Sequence, residues 1–193
     1  MTFGTVKLRP ARTLVIDCPW PFADRLPGPG RGAGKHYPTM TIEQLEQLEL
    51  PPLEPDCMLF SWRVSAMQLE ALHLMAHWGF AQKTELVWNK LTKCGKRHFG
   101  MGHILRAAHE VCLVGTRGRA QVLDHSIRTT FEAKVGRHSV KPEEFYQLVE
   151  RLSPGPYTEV FGRRPRRGWQ VLGNDPSLLW NACGSRQADR RAS

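Results

Sequence analysis

The chain has 193 residues, 41% of them hydrophobic and 23% charged, and its 27 Lys and Arg against 18 Asp and Glu give a formal net charge of +9. That length suits one domain with a sizeable core and requires no second. No apolar run approaches the roughly 20 residues that span a bilayer, and the N-terminus carries no signal-peptide hydrophobic stretch, so the expectation is a protein without a membrane partner. Cys18, Cys57, Cys94, Cys112 and Cys183 are odd in number and form no C-x-x-C pair. They argue for a reducing cytoplasm, and against a disulfide framework or a zinc site. The cation excess favours a polyanionic partner, nucleic acid above all. Its members are bunched: Lys90, Lys93, Lys96 and Arg97 beside His98; Arg163, Arg164, Arg166 and Arg167; and Arg186, Arg190 and Arg191.

Short apolar runs alternate with amphipathic segments, which predicts an α/β protein. Leu14 to Asp17 reads as a buried strand ending in a carboxylate, followed by the turn Cys18-Pro19-Trp20. A carboxylate can accept hydrogen bonds from an exocyclic amine, turn carbonyls can accept more, and an indole can stack on a flat ring. Gly28, Gly30, Gly32 and Gly34, with Pro27 and Pro29, rule out regular structure over residues 25–36 and predict a loop where a substrate lid would sit. Thr41 to Gln44 has capping-box form and opens a helix to about Leu48. Cys57 to Trp62 is a second strand. Ser65 to Gln68 is another capping box, whose helix Gly79 ends.

Thr84 to Trp88 is a third strand, and the basic loop Asn89 to Gly102 follows. His109 to Val114 is a fourth strand, ended by Gly115. Residues 117–137 contain strand only in part. Pro142 suits the first turn of a helix whose apolar face is Phe145, Leu148, Val149 and Leu152. Thr158 to Phe161 and Trp169 to Leu172 are further strands. From about Pro176 the periodicity fades into a frayed basic tail.

Several segments in order resemble the family of mRNA N6-adenosine methyltransferases and its bacterial and phage members. Asp17-Cys18-Pro19-Trp20 is similar to the D-P-P-W signature, and His36 to Leu45 to the Y-x-T-M segment that follows it. Gly102 to Glu110 resembles the G-x-x-x-R-x-x-x-E strand entry, and His138-Ser139-Val140-Lys141-Pro142 the H-S-x-K-P element. Tyr157 to Arg163, then Gly173-Asn174-Asp175, resemble the closing cofactor segment, so the likeness covers roughly residues 12–176. It implies a methyltransferase domain over 1–176 with a basic tail over 177–193. The implied fold is a Rossmann-like, S-adenosylmethionine-dependent sheet in circularly permuted order, with helices on both faces. That order explains why no G-x-G-x-x-G opens the chain.

The resemblance implies methyl transfer from S-adenosylmethionine to N6 of adenine. Asp17 and a carbonyl of Cys18 or Pro19 would accept the amine N–H bonds while Trp20 stacks on the base. Lys141, Glu159, Phe161, Gly162, Arg163, Asn174 and Asp175 would hold the cofactor. Arg31, Lys35, Lys90, Lys93, Lys96 and Arg97 would meet nucleic acid, and His138 and Ser139 have only a supporting role within the H-S-x-K-P element. DNA is favoured over RNA because a compact chain suits a bacterial or phage DNA modifier. The alternatives are an RNA N6-adenosine methyltransferase, a non-catalytic nucleic-acid-binding subunit of the same fold, whose one support is Cys18 in place of a proline, and a basic DNA-binding protein with no cofactor. Plainer readings stand beside these: Asp17 as a turn cap, Trp20 as core, Lys141 at the surface, Arg163 on a phosphate, Glu159 as a strand-end carboxylate, and Asn174 and Asp175 as turn residues.

Overall fold

The computed structural model describes residues 8–21, 39–102, 104–136, 140–173 and the backbone of 179–180. The strands are β1 (Ala11–Asp17), β2 (Leu53–Arg63), β3 (Ala81–Leu91), β4 (His109–Arg117), β5 (Thr130–Lys134), β6 (Tyr157–Val160), β7 (Trp169–Leu172) and β8 (Leu179–Trp180). They form one eight-stranded sheet in the order β5-β3-β4-β2-β1-β6-β7-β8. β1 runs parallel to both β2 and β6, and β6 is parallel to β7. β4 is antiparallel to its neighbours β2 and β3, and β8 is antiparallel to β7. Among the described residues no helix is long and apolar enough to cross a membrane.

Strand alternation sorts side chains to two faces. Leu14, Ile16, Leu59, Val111 and Leu113 pack with Leu45 of α1 (Ile42–Glu46) and Ala71, Leu74 and Met75 of α2 (Gln68–His77). Val15, Phe60, Trp62, Cys112 and Val114 face the other way, onto Phe145, Tyr146 and Val149 of α3 (Glu143–Leu152). Helices therefore cover both faces, as the resemblance implies. Thr41 closes a reciprocal capping box with Gln44 at the start of α1. Gly79, at φ +80°, ends α2 with Phe80 N–H reaching back to Met75 O at 3.0 Å.

Four sequence expectations are corrected. Ser65 caps nothing: Ser65–Met67 is a 3₁₀ turn, and the α-helix begins at Gln68. Gly115 does not end its strand but lies within β4, where an added Cβ would stand 2.8 Å from Met75 Sδ and 3.0 Å from Ala81 O. Its bare Cα lets α2 approach the sheet. Phe161 is not strand but turn, in the left-handed region at φ 63°. The sheet also runs past Pro176, because Leu179–Trp180 pairs with β7. The glycine-rich stretch 25–36 lies outside the described residues.

Phe145 is the main anchor of α3. It is fully buried, with its ring centroid 4.8 Å from that of Trp62 and 6.2 Å from that of Phe60. Phe145→Ala is expected to lower the unfolding free energy by about 3–5 kcal/mol, read as a fall in the urea midpoint with unchanged slope.

Candidate active site

The parallel strands β1 and β6 pair up to Ile16 and Val160, so Asp17 and the turn at Phe161-Gly162 leave neighbouring strands at the same edge. Ligands of open α/β sheets bind at such a carboxyl edge, where the strand order reverses direction. Because β4 is antiparallel, its beginning rather than its end lies there. Cys112 pairs with Trp62, and Glu110 with Trp88 near the end of β3. Alternation then decides which side chains meet. Asp17 shares the face of Val15, Glu110 that of Cys112, and Lys90 that of Trp88, all toward α3.

Lys141, just ahead of α3, fills the centre of this group. Its ammonium lies 3.2 Å from Asp17 Oδ1, 2.9 Å from Glu110 Oε2 and 4.5 Å from the centroid of the Trp62 ring. Lys90 Nζ is 2.6 Å from the other Glu110 oxygen. A chain of alternating charge, Lys90–Glu110–Lys141–Asp17, thus crosses the edge from β3 to β1. The Lys141 side chain is only 10% exposed. Burial pulls its pKa down, but the carboxylates of Asp17 and Glu110 more than offset this and raise it. Burial pushes Glu110 up, and Lys141 and Lys90 together outweigh it to hold that carboxyl at about 2.

Glu159 behaves in the opposite way. It lies on β6, is buried, and accepts a hydrogen bond from Tyr146 O–H at 2.9 Å. Burial raises its pKa to about 7, with the nearby Asp17 charge adding to the rise and the Tyr146 bond opposing it. No cation as close as those on Glu110 offsets the loss of water.

Beside Asp17 the backbone makes a tight turn. Trp20 N–H donates to Cys18 O, and Met40 N–H donates to Pro19 O, both at 2.9 Å. The first bond spans two residues, with Pro19 at the centre of a γ-type turn that its ring favours. Each carbonyl keeps a second lone pair. Cys18 points away from Asp17 into the α1/α2 cluster, where burial pushes its thiol far above the ordinary range. It is a packing residue and not a nucleophile.

The predicted site residues divide as follows. Asp17, the Cys18-Pro19 carbonyls, Lys141, Glu159 and the Phe161-Gly162 turn come together at one edge. Trp20 is corrected from base stacker to anchor: its ring is 6% exposed, and its indole N–H donates to Trp62 O at 3.2 Å. Lys90 is corrected from phosphate contact to ion partner of Glu110. The glycine at 162 is explained from within the protein, since an added Cβ would lie 2.3 Å from Val171 Cγ1 and 3.2 Å from Glu159 Cδ. Glu159 is therefore a buried support beneath that turn. Arg163 follows it, half-buried. Lys93, Lys96 and Arg97 are exposed on the loop after β3. Arg31, Lys35, His138, Ser139, Asn174 and Asp175 lie outside the described residues.

Sequence reasoning missed the roles of Glu110, Trp62 and Tyr146. Glu110 was legible as the acid of a strand-entry motif. The two aromatics carried no signal apart from their apolar spacing. Arg164 and Arg166, read as part of a basic cluster, pair with acids of α3. Arg166 NH1 lies 2.7 Å from Glu143 and its Nε 3.1 Å from Glu150; Arg164 is 3.4 Å from Glu143.

An open, mixed sheet with helices on both faces and a partly buried carboxylate–ammonium cluster at its switch point is an α/β scaffold of the kind that binds ligands at a carboxyl edge. The MT-A70 family model matches residues 12–175. The human N(6)-adenosine-methyltransferase catalytic subunit METTL3 is 34% identical over 170 residues, covering 83% of this chain and 27% of that protein. An Arabidopsis thaliana N(6)-adenosine-methyltransferase MT-A70-like protein is 32% identical over 181 residues, covering 90% of this chain and 24% of the relative. The Type II methyltransferase M.MunI of Mycoplasma sp is 28% identical over 142 residues, 71% of this chain and 58% of its own. The chain thus spans about a quarter of the length of the adenosine-methylating relatives. It belongs to the MT-A70 family, a family of S-adenosylmethionine-dependent N6-adenine methyltransferases.

Two outcomes test the electrostatics. The folded chain binds the Glu159 proton more tightly than the unfolded chain, so this group favours folding at low pH, and that advantage fades as pH rises from about 4.5 to about 7. Over that window the stability difference between wild type and Glu159→Gln should drift by on the order of 3 kcal/mol, with the variant gaining on the wild type; pH-stepped urea melts read it. Lys141→Met removes the cation between two carboxylates and should cost about 3–5 kcal/mol at neutral pH, measured by the same melts.

Proposed function

We propose that the chain transfers the methyl group of S-adenosylmethionine to N6 of adenine in a polynucleotide, with DNA as the substrate. The carrying observation is the meeting of Asp17, its turn carbonyls and Lys141 with the Phe161-Gly162 turn at one sheet edge. The residues fit the donor chemically. Lys141 has three N–H bonds, and a third beyond those toward Asp17 and Glu110 suits a carboxylate. The carboxylate-rich surroundings suit an ammonium and a sulfonium. Phe161, Gly162 and Arg163 form the turn proposed to face the nucleoside end, and by resemblance Asn174 and Asp175 belong with them. When bound, the donor supplies an activated methyl group.

The protein's share of the chemistry is positioning. An adenine amine is a poor nucleophile because its lone pair is delocalised into the ring. Lys141 engages Asp17 Oδ1, and Oδ2 is the oxygen proposed to accept one amine N–H. The spare lone pair of the Cys18 or Pro19 carbonyl accepts the other. Holding both N–H bonds turns the nitrogen lone pair toward the methyl group, and prearranged charge carries the acceleration. The amine proton becomes acidic only once the nitrogen carries the methyl group, and it would then pass to Asp17 Oδ2 or to water, so no strong base is required first. A base within a duplex must first be flipped out, at a cost of a few kcal/mol.

RNA is the second reading, and the relatives named as adenosine methyltransferases favour it. Tritiated donor with matched DNA and RNA oligonucleotides tests both. Counts should appear in N6-methyladenine, and Asp17→Ala should cut turnover per folded molecule by about a hundredfold or more, with a urea melt giving the folded fraction because the change also strips Lys141 of a partner. Donor binding without transfer to either polymer would support a non-catalytic subunit instead.

A further inference from the structure

Arg63 stands at the carboxyl edge with no acid to pair with among the described residues. It is the last residue of β2, one position beyond Trp62, whose Cα pairs with that of Asp17. β1 and β2 are parallel, so the chain leaves the sheet at Arg63 on the same edge as at Asp17. The backbone ties the two exits together. The Trp62 carbonyl, which belongs to the peptide bond joining Trp62 to Arg63, accepts the Trp20 indole N–H at 3.2 Å. The Cys18-Pro19-Trp20 turn is thereby pinned to the start of the Arg63 turn.

Arg63 pairs with Val111 across the sheet and shares its face, the side of α1 and α2, opposite to Lys141. It is half-buried and its Nε is shielded from solvent, yet its side chain has no hydrogen bond or ion pair among the described residues. Lys90 and Lys141, at the same edge, both touch a carboxylate. From Cys57 to Leu69 the sequence holds no Asp or Glu, so the guanidinium has no acid nearby in the chain. Ser65, two residues on, is exposed, and its hydroxyl likewise has no partner among the described residues. A guanidinium partly withdrawn from water without a counter-charge is unfavourable, and a bound anion relieves it. Strand order says which substrate brings that anion. The donor is proposed to sit where β1 meets β6, with its carboxylate at Lys141. Arg63 lies on β2, across β1 from β6, and on the other face of the sheet. One carboxylate does not serve both cations, so the anion at Arg63 belongs to the polynucleotide. There it is a phosphate, which a guanidinium grips through two parallel N–H bonds.

We infer that Arg63, with the Ser65 hydroxyl beside it, holds a backbone phosphate flanking the target adenine. The inference deepens the function proposed above and rests on it for the position of the base. It is tested by fluorescence anisotropy of a labelled single strand carrying one adenine, as DNA and as RNA, across a salt series with demethylated donor present. Arg63→Gln should weaken binding about tenfold and flatten the slope of log affinity against log salt by roughly 0.7. Arg63→Lys should keep the slope and recover only part of the affinity, because an ammonium lacks the forked fit. An uncharged methylphosphonate in place of the phosphate on either side of the adenine locates the contact. On the side that Arg63 serves, it should weaken wild type about tenfold and leave Arg63→Gln unaffected. Matching urea midpoints check that both variants fold. Wild-type affinity and slope in Arg63→Gln would overturn the inference. Equal methylphosphonate losses in wild type and variant on both sides would do the same. So would weakened donor binding in Arg63→Gln with strand binding intact, which gives the guanidinium to the donor. A phosphate contact without methylation of either polymer would sink the proposed activity alone; methylation with wild-type strand binding in Arg63→Gln would sink the contact alone.

Discussion

The Lys141 ammonium is the constraint on which the site depends. A cation removed from water at this depth is tolerable only with carboxylates in contact, because losing either partner leaves a buried charge worth several kcal/mol. Asp17 and Glu110 are those partners, and they come from the end of one strand and the beginning of an antiparallel one. Lys141 itself stands at the entry of α3. One ion cluster therefore fixes three elements that are far apart along the chain, at the edge where β1 and β6 release their turns.

Two carboxyls within this small region, Glu159 buried and Glu110 half-buried, show how neighbours decide ionisation. Glu110 and Glu159 both lose water, yet the first is held at about 2 and the second is raised to about 7. Glu110 touches two ammonium groups. Glu159 has a phenol hydroxyl for its close partner and feels the negative charge of Asp17. Beneath Gly162 it fills space that a larger residue at 162 would need, so the glycine turn and the acid are parts of one packing arrangement.

The net charge of +9 pointed to a polyanion, but the fold separates cations that pair with acids from others left at the surface. Lys90, Lys141, Arg164 and Arg166 are each paired with acids of the same chain. Lys93, Lys96, Arg97 and Arg106 are among those that remain exposed, between β3 and β4. A count of charges cannot make that division, because it depends on which acids the fold brings near.

The sequence by itself determined the α/β class, most strands, the capped start of α1, the Gly79 stop and the ordered motifs, because each depends on residues adjacent in the chain. Asp17 was legible for the same reason: a carboxylate ends an apolar run at a proline turn. Only the tertiary structure decided that Trp20 is an anchor, that Gly115 lies within a strand, that Lys90 serves Glu110, and that Glu159 and Tyr146 share a hydrogen bond. Those outcomes depend on which strand lies beside which, on whether it runs parallel or antiparallel, and on which face each side chain takes. Pairing and face are settled by packing across the sheet, between residues whose separation along the chain leaves no local trace.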